Sequence, residues 1–499
     1  MSTASAGATS QRSLLKGVLK GSSLYSIALL GQRAAGIFLI PITTRFLLPS
    51  DYGVSDLLEQ VATVISILLG INFSAAVGYF YFAVDSEEAR RKVVGTTVGG
   101  AALLGLVALA LCWPFAGLMS RMVFGSAMAV FYLHVLFLTL TPGFLLEALF
   151  SWLRVENRTV VFVAGSWLRV AATIVGTIVL IAVLRLRVLG VLYTSGLAIG
   201  VTALVLAVYC FRVARPSFDP ALLFRMMRFA APLGLSGLAL FVIHFGDRFI
   251  LPHYRPFAEL GIYAIAYKIG MLISLLYSSF HNYWSMQVYH IVRREDASTV
   301  MARTFTYLTL AISFAGVALI VGSRPGLRLL TTPAYHGAAA VVPILVTAYV
   351  IRALGDFFRC LFLAAGKPVY DAACNWIGAA VCVAAYFTFI PRYGIWGAAI
   401  ATLVTFVLVG VISCVWAYQV SPYAIESGRL LKVAVAAVAP VTAYLLVPVS
   451  SLPAQMVWSA LLLSSFPLAL WLLGFPTPGE VELAVRVVKS LPGRVARLR

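Results

Sequence analysis

The chain has 499 residues, of which 61% are hydrophobic and only 11% are charged. A soluble domain is about 45–50% apolar and about 25% charged, so this composition excludes an ordinary water-soluble fold and favours helices surrounded by lipid. The net charge of +19 would suit nucleic acid, but the Lys and Arg residues stand mainly in short connections between apolar runs. That placement is typical of the positive-inside bias of membrane proteins, so no nucleic-acid partner is expected.

The first apolar run begins near Ser22. It is too long for the apolar region of a cleavable signal peptide and has no small-residue cleavage site, so we expect it to remain as the first membrane span. Apolar runs of about 20 residues are long enough to cross the hydrocarbon core as helices. The sequence predicts about fourteen spans, at 22–44, 57–83, 93–119, 127–150, 159–183, 188–211, 229–251, 258–283, 302–323, 338–364, 369–391, 394–418, 430–447 and 454–474.

The charges in the connections between spans predict the orientation of the chain. With the N-terminus in the cytoplasm, the inner segments hold 23 Lys and Arg residues and the outer segments hold nine. This asymmetry follows the positive-inside rule and requires an even number of spans. We therefore expect a multi-pass protein of the inner (plasma) membrane with both termini in the cytoplasm.

Three pairs of short runs recur in the two halves of the chain. They are 45–49 with 248–252, 52–54 with 260–262, and 189–191 with 393–395. Because both copies begin on the same side, the pattern predicts a parallel repeat of six plus six helices; chance similarity between apolar helices is the alternative. The predicted organisation is a cytoplasmic N-terminal segment (1–21), an N-lobe (22–215), a C-lobe (225–420), two further spans (428–475) and a basic amphipathic cytoplasmic tail (476–499).

Some cations fall inside the predicted spans, where lipid should not tolerate them. They are Arg33, Arg169, Lys268, Arg352 and Arg359. At a helical rise of about 1.5 Å per residue the first four lie near the middle of their spans, where each costs about 2.5–3.5 kcal/mol. Arg359 is close enough to the inner end to reach the headgroups. The four central cations must therefore pair with acids or line a wet cavity.

Pairing explains only part of this set. Asp356 follows Arg352 by four residues and precedes Arg359 by three, so all three share one helical face. Glu59 and Glu147 are expected near span ends, too far along their helices to neutralise the other cations.

The sequence therefore predicts a water-filled cationic cavity that binds phosphate or carboxylate. Its candidate substrate-binding residues are Arg33, Lys268, Arg352 and Arg169. The alternative is that these side chains are polar contacts between helices. Asp247 beside Arg248 is a candidate ion site, with a local ion pair as its alternative.

Motifs for chemistry are missing from the sequence. No Walker A pattern, G-x-S-x-G elbow, H-E-x-x-H or dinucleotide fingerprint occurs, so we expect no enzyme, and no cofactor or metal. The six Cys residues form no C-x-x-C pair and are expected to be small core residues.

Several short runs resemble landmarks of one family. They are 20–22, 48–53, 247–248, 260–263, 364–367, Asn375 and, most specifically, Ile390-Pro391-Arg392-Tyr393-Gly394-Ile395-Trp396-Gly397-Ala398-Ala399. In order and spacing they resemble the bacterial lipid-linked oligosaccharide flippases. These form the polysaccharide transporter branch of the multidrug/oligosaccharidyl-lipid/polysaccharide superfamily.

The resemblance implies an all-α bundle with spans 1–6 and 7–12 around a central cationic cavity. It implies alternating access that moves a polyprenyl-pyrophosphate-linked oligosaccharide from the cytoplasmic to the outer leaflet, for O-antigen, capsule or exopolysaccharide synthesis. In this superfamily spans 1, 2, 7 and 8 line the cavity; Arg33 and Lys268 fall on two of them. Glu59 falls on another and is a candidate ion-coupling acid, together with Asp247. The expected partners are membrane lipids, and a monomeric transporter would work beside glycosyltransferases and a polymerase.

Three alternatives remain at this point. An ion-coupled multidrug or small-metabolite antiporter of the same fold would favour an acidic cavity. A membrane-embedded glycan polymerase, ligase or acyltransferase would need a sizeable outer loop with paired carboxylates or a His base, and the sequence has neither. A scaffolding protein would have no reason to carry charges in the middle of its spans.

Overall fold

The computed structural model describes residues 31, 36, 38–69, 73–214 and 217–476. All regular structure in these ranges is helical, without a strand, so the predicted all-α class is confirmed. Most of the first predicted span (22–44), including Arg33, lies outside the described residues. The N-terminal segment (1–21) and almost all of the tail (476–499) lie outside them too.

The helices follow the order of the predicted spans. In the first half they are α1 (Ile40–Phe46), α2 (Pro49–Leu69), α3 (Phe73–Phe82), α4 (Glu87–Cys112), α5 (Ala116–Phe124), α6 (Val130–Leu138), α7 (Leu140–Val155), α8 (Thr159–Gly176), continued by a π-helical stretch (Thr177–Val183), and α9 (Arg187–Ala214). In the second half they are α10 (Pro220–Phe245), α11 (Asp247–Ile250), α12 (Phe257–Ile291), α13 (Ala297–Leu330), α14 (Ala338–Ala364), α15 (Pro368–Tyr393), α16 (Ile395–Val420), α17 (Ser427–Leu446) and α18 (Leu452–Leu472). Short 3₁₀ turns cover Ala127–Ala129, Leu251–His253 and Pro333–Tyr335.

In the described ranges, 12 helices are long and apolar enough to cross a membrane, and 13 when the two parts of α10 count as one span. Each predicted span from the second to the fourteenth overlaps one of these helices. The parts of α10, Pro220–Pro232 and Gly234–Phe245, meet at an angle of 41°. Pro232 accounts for the bend, because proline has no N–H for the helical ladder and its ring crowds the preceding turn.

The contacts divide the chain into two compact units. Unit 1 comprises Met1–Ala264, Leu330–Tyr335 and Cys382–Ala398, and unit 2 comprises Ile265–Leu329, His336–Val381 and Ala399–Arg499. The predicted lobes follow the sequence repeat and not these contacts, so their boundaries stay a prediction.

Unit 1 has its core where α4, α7, α8 and α9 pack together. Trp152, Leu149 and Leu153 of α7 are completely buried against Val98 of α4 and Leu206 of α9. Helices in lipid gain little from the hydrophobic effect, and close packing of this kind holds them together. This core fixes α7 and α8, which carry two of the charged residues considered below.

Two glycines of unit 1 let α2 and α12 cross with their backbones in contact. A Cβ on Gly53 would overlap the carbonyl oxygen of Phe257, and one on Gly261 would overlap that of Pro49. The two contacts are equivalent, because each glycine meets the carbonyl four residues before the other glycine. Gly53 and Gly261 also stand in the paired runs 52–54 and 260–262, so the runs matched in sequence make matching contacts.

In unit 2, α17 and α18 dock on α13 through polar side chains. Arg324 donates to the backbone oxygen of Tyr444 over 3.0 Å, and its guanidinium lies 4.3 Å from the centre of that ring. The hydroxyls of Ser323 and Tyr444 are 2.7 Å apart, and Ser459 donates to the backbone oxygen of Val321 over 2.6 Å. Arg324, which the sequence places in an outer connection, thus helps to attach α17 and α18 to α13.

Candidate functional site

Unit 1 contains a cavity of about 630 Å³ among α2, α6, α7, α8, α9 and α10. Apolar side chains form much of its wall, as expected for a helical bundle. Its polar lining residues are Ser55, Glu59, Thr63, Ser66, Thr139, Glu147, Arg169 and Ser195. The cavity therefore combines hydroxyls with three ionisable groups, each from a different helix.

The three charged residues come from the middle of their helices. Glu59 is the eleventh of 21 residues in α2, Glu147 the eighth of 16 in α7 and Arg169 the eleventh of 18 in α8. The expectation that Glu59 lies near a span end is wrong, whereas Glu147 lies eight residues from the C-terminal end of the candidate span Ala127–Val155. Helix α2 begins at Pro49, eight residues before the predicted start, because hydropathy undervalues polar residues that find buried partners inside the protein. Helix α7 begins after a turn at Thr139 and continues the same candidate span as α6, which covers Ala127–Val155.

The charges in the cavity are only partly compensated. Glu147 accepts a bond from Arg154 over 3.1 Å, so part of its charge is directed away from Arg169. Glu59 and Glu147 both act on the charge of Arg169 through space, yet within the described ranges no carboxylate comes within ion-pairing distance of its guanidinium. The described lining holds one cation and two acids, so it is polar and mixed in charge.

The other predicted substrate-binding residues lie elsewhere. Arg33 is outside the described residues. Lys268 is the twelfth of 35 residues in α12 and its side chain is exposed. Lys268 and Arg352 belong to unit 2 and do not line the cavity of unit 1. Of the four residues, the cavity thus contains Arg169 alone among those that the structure describes.

The ion pairs expected of Asp356 are present in unit 2. Asp356 lies 3.5 Å from Arg352 and 3.3 Å from Arg359. Arg359 also donates to Asp371 over 2.7 Å and to Asn375 over 2.8 Å. The pairs within α14 follow from helical spacing and are confirmed. The contact with Asp371 was missed, because it joins two helices and no local pattern indicates it.

Arg248 forms the most deeply buried ionic contact of unit 1. It donates to Asp56 over 2.7 Å and to Asp247 over 3.0 Å, and all three side chains are at most 4% exposed. The second carboxylate oxygen of Asp247 accepts a bond from the hydroxyl of Tyr263 over 2.6 Å. The local pair of Asp247 with Arg248 is thus present, whereas sequence reasoning missed Asp56 and Tyr263. The ion-coupling role of Asp247 stays a prediction.

The cysteines and other metal-binding side chains are dispersed. All six thiols are free, and Cys210, Cys360, Cys374 and Cys382 are buried. Across the described ranges, no three His, Cys, Asp or Glu side chains come together as a metal site would require.

A multi-pass helical protein with a polar cavity between apolar helices has the architecture of a membrane transporter. The family model described as "Polysaccharide biosynthesis protein" matches residues 18–282. This match spans more than half of the chain, which therefore belongs to that family. No curated protein matches the sequence at a significant level.

Solved structures share the fold at low sequence identity. The structure titled "Lipid II flippase MurJ, inward closed conformation" has a TM-score of 0.73 and 15% identity, covering 89% of this chain and 98% of its own. An inward-facing multidrug resistance MATE family transporter of the MOP superfamily has a TM-score of 0.67 and 17% identity, covering 80% of this chain and 97% of its own. An outward-facing MATE structure has a TM-score of 0.58 and 17% identity, covering 81% and 95%. At these identities the likeness concerns the fold, which is that of a flippase or transporter.

Proposed function

We propose that this protein is a flippase for a polyprenyl-pyrophosphate-linked oligosaccharide in cell-surface polysaccharide biosynthesis. The observation that carries the proposal is Arg169, which reaches a polar cavity from the middle of an apolar helix without a carboxylate in ion-pairing distance among the described residues. A guanidinium placed there costs free energy unless water or an anion solvates it. A pyrophosphate group would supply that solvation through paired hydrogen bonds.

The family match supports the glycan part of the substrate, since it names polysaccharide biosynthesis. The likeness to a lipid II flippase supports a lipid-linked form of it. Hydroxyl side chains such as Ser55, Thr63 and Ser195 in the cavity suit the sugar part, because they both donate and accept hydrogen bonds. We assign the pyrophosphate to Arg169. That Arg33 and Lys268 also bind the substrate stays a prediction from the sequence. Arg352 has the weakest claim, because Asp356 already neutralises it.

We place the protein in the inner (plasma) membrane with both termini in the cytoplasm. The loop charges support this orientation, which puts the crossing of Gly53 and Gly261 at the outer end. In alternating access that end opens to release the glycan. We also propose that the protein acts as a monomer beside glycosyltransferases and a polymerase.

An ion-coupled antiporter of small molecules is the second candidate, and one observation favours it. The described part of the cavity holds two carboxylates, Glu59 and Glu147, against one cation. Acids in such a cavity suit cationic drugs, and the MATE transporters share the fold. Under both candidates Glu59 is the acid we assign to ion coupling.

Transport by purified protein in liposomes separates the two candidates. A fluorescent polyprenyl-pyrophosphate oligosaccharide is placed in both leaflets, and the fraction that dithionite quenches is followed over time. The flippase moves the inner-leaflet label outward. The Arg169→Gln variant slows this roughly tenfold, because it loses charge-assisted hydrogen bonds to the pyrophosphate. Arg212→Gln removes a charge from an exposed position of α9 outside the cavity and retains the wild-type rate.

The same liposomes loaded with ethidium test the antiporter. Movement of ethidium driven by a proton gradient, without flipping of the labelled lipid, would replace the flippase proposal with the antiporter. Equal flipping by the Arg169→Gln and wild-type proteins would remove Arg169 from the site.

A further inference from the structure

A second pocket lies in unit 1, away from the cavity described above. It encloses about 420 Å³ and shares no lining residue with that cavity. It lies where α3, α7 and α9 end and where α4 and α8 begin. Its lining residues are Tyr81, Phe82, Glu87, Arg90, Arg91, Val94, Val155, Glu156, Arg158, Val213 and Ala214. We call it the Arg90 pocket.

Two of its three guanidiniums are neutralised by acids of the same pocket. Arg158 donates to Glu156 over 2.6 Å and to the hydroxyl of Tyr209 over 2.9 Å. The bond to Glu156, in the turn before α8, raises the pKa of Arg158 above its usual value. Arg91 forms an ion pair with Glu87 over 2.7 Å. Both acids of the lining are thus paired with a guanidinium. The pocket has three Arg residues and two Glu residues, which leaves one positive charge in excess.

The excess charge belongs to Arg90, whose guanidinium is held in place from two sides. Its Nε donates to the backbone oxygen of Val84 over 3.3 Å, and its Cζ lies 5.3 Å from the centre of the Tyr81 ring. In the described ranges, neither terminal NH₂ group has a hydrogen-bond partner and no carboxylate pairs with it. A guanidinium fixed at Nε presents two parallel donors, the arrangement that matches two oxygens of one phosphate.

We propose that the Arg90 pocket binds a phosphate group, in addition to the substrate that the cavity carries. The shared chemistry is an anionic phosphate ester, from either a phospholipid headgroup or a soluble phosphate compound. The rim resembles a lipid site, because two apolar side chains of the lining are exposed, Phe82 to 68% and Val213 to 42%. A bound phosphate would join the end of α3 and the start of α4 to the turn between α7 and α8.

Binding to the purified full-length protein in neutral detergent tests this site. The probes are short-chain phosphatidylglycerol and inorganic phosphate, titrated separately by calorimetry. The Arg90→Gln variant weakens binding about tenfold, because two charge-assisted hydrogen bonds are lost. Lys92→Gln is the matched control: it removes the same charge two residues further along α4, where Lys92 pairs with Glu88 over 3.1 Å outside the pocket. It changes the affinity less than twofold.

The two probes identify the source of the phosphate. Binding of phosphatidylglycerol alone assigns the pocket to a lipid headgroup, and binding of both probes assigns it to phosphate in general. Equal weakening by Arg90→Gln and Lys92→Gln would show a diffuse basic surface and overturn the proposal, as would no binding of either probe at millimolar concentration. If Arg90→Gln unfolds the protein, Arg90→Lys replaces it. That variant keeps the charge and loses the paired donors, so it still weakens binding if the fork is what recognises phosphate.

Discussion

Arg248 donates from Nε to Oδ2 of Asp56 over 2.7 Å, although 192 positions separate them in the sequence. Asp56 directly precedes the second predicted span (57–83) and Arg248 lies near the end of the seventh (229–251), so the bond joins the two halves of the predicted repeat. Asp247 flanks the same guanidinium from the other side over 3.0 Å. A buried pair of this kind contributes little net free energy, but removing one partner leaves a buried charge uncompensated.

Replacing Arg248 by Met should therefore destabilise the fold strongly. Two buried carboxylates lose their only cation within the described residues, and we expect the free energy of unfolding to fall by about 3–5 kcal/mol. Denaturation in mixed micelles measures the change. Arg187→Met is the control, because Arg187 pairs with Asp51 over 3.8 Å and is 62% exposed; its loss should cost less than about 1 kcal/mol. Similar stabilities for the two variants would contradict a role of Arg248 in stability.

Gly261→Ala should force α2 and α12 apart. The added methyl would overlap the carbonyl oxygen of Pro49, which is backbone and cannot move aside as a flexible side chain would. We expect a loss of about 1–3 kcal/mol of stability, the usual cost of overpacking, and the same for Gly53→Ala. Gly78→Ala, in α3 with open space around the new methyl, should instead stabilise its helix by about 0.5–1 kcal/mol. A neutral Gly261→Ala variant would show that the helices do not cross so closely.

Glu59→Gln should separate binding from ion coupling, if the proposed function holds. The amide has the shape of the carboxylic acid but cannot ionise, so transport in liposomes should no longer respond to an imposed pH gradient. Binding of the substrate should persist, because Arg169 is unchanged. Glu88→Gln, whose exposed side chain pairs with Lys92, should respond as the wild type does. A full response to the gradient in Glu59→Gln would move ion coupling to another acid, with Asp247 the next to test.

Tyr335→Phe should have a moderate effect on stability. The buried hydroxyl of Tyr335 donates to the backbone oxygen of Leu47 over 2.9 Å, and its removal leaves that carbonyl without the bond. We expect a loss of about 1–3 kcal/mol in the unfolding free energy. Tyr254→Phe, at a 47% exposed position, should change it by less than about 0.5 kcal/mol. A loss of equal size in both variants would indicate an effect of the hydroxyl on solubility and not on this contact.

Hydropathy alone located thirteen of the fourteen predicted spans on helices that the structure describes, because the lipid-facing sides of these helices are apolar over their whole length. The start of α2 was misplaced by eight residues. Its first turns carry Asp51 and Asp56, which read as a loop when their partners are unknown. Asp56 is buried because Arg248 neutralises it, and a partner 192 residues away leaves no local signal.

The candidate site shows the same division between local and distant contacts. The pairing of Asp356 with Arg352 and Arg359 could be predicted, since spacings of four and three residues place side chains on one helical face. The arrangement of Glu59, Glu147 and Arg169 around one cavity could not be predicted, because it depends on how three helices pack. Sequence reasoning predicted a cationic cavity with Glu59 on one of its lining spans, and the described lining adds Glu147 as a second acid.

The crossing of Gly53 and Gly261 bears on how the protein could change shape at this end. Two helices that touch through glycine have no side chains interlocked between them, so sliding or tilting there meets little steric resistance. The adjoining bond of Arg248 to Asp56 instead restricts this movement, because separating the two side chains while both stay buried would leave the carboxylate of Asp56 uncompensated. Motion at this end should therefore have to admit water to Asp56 as its carboxylate separates from Arg248.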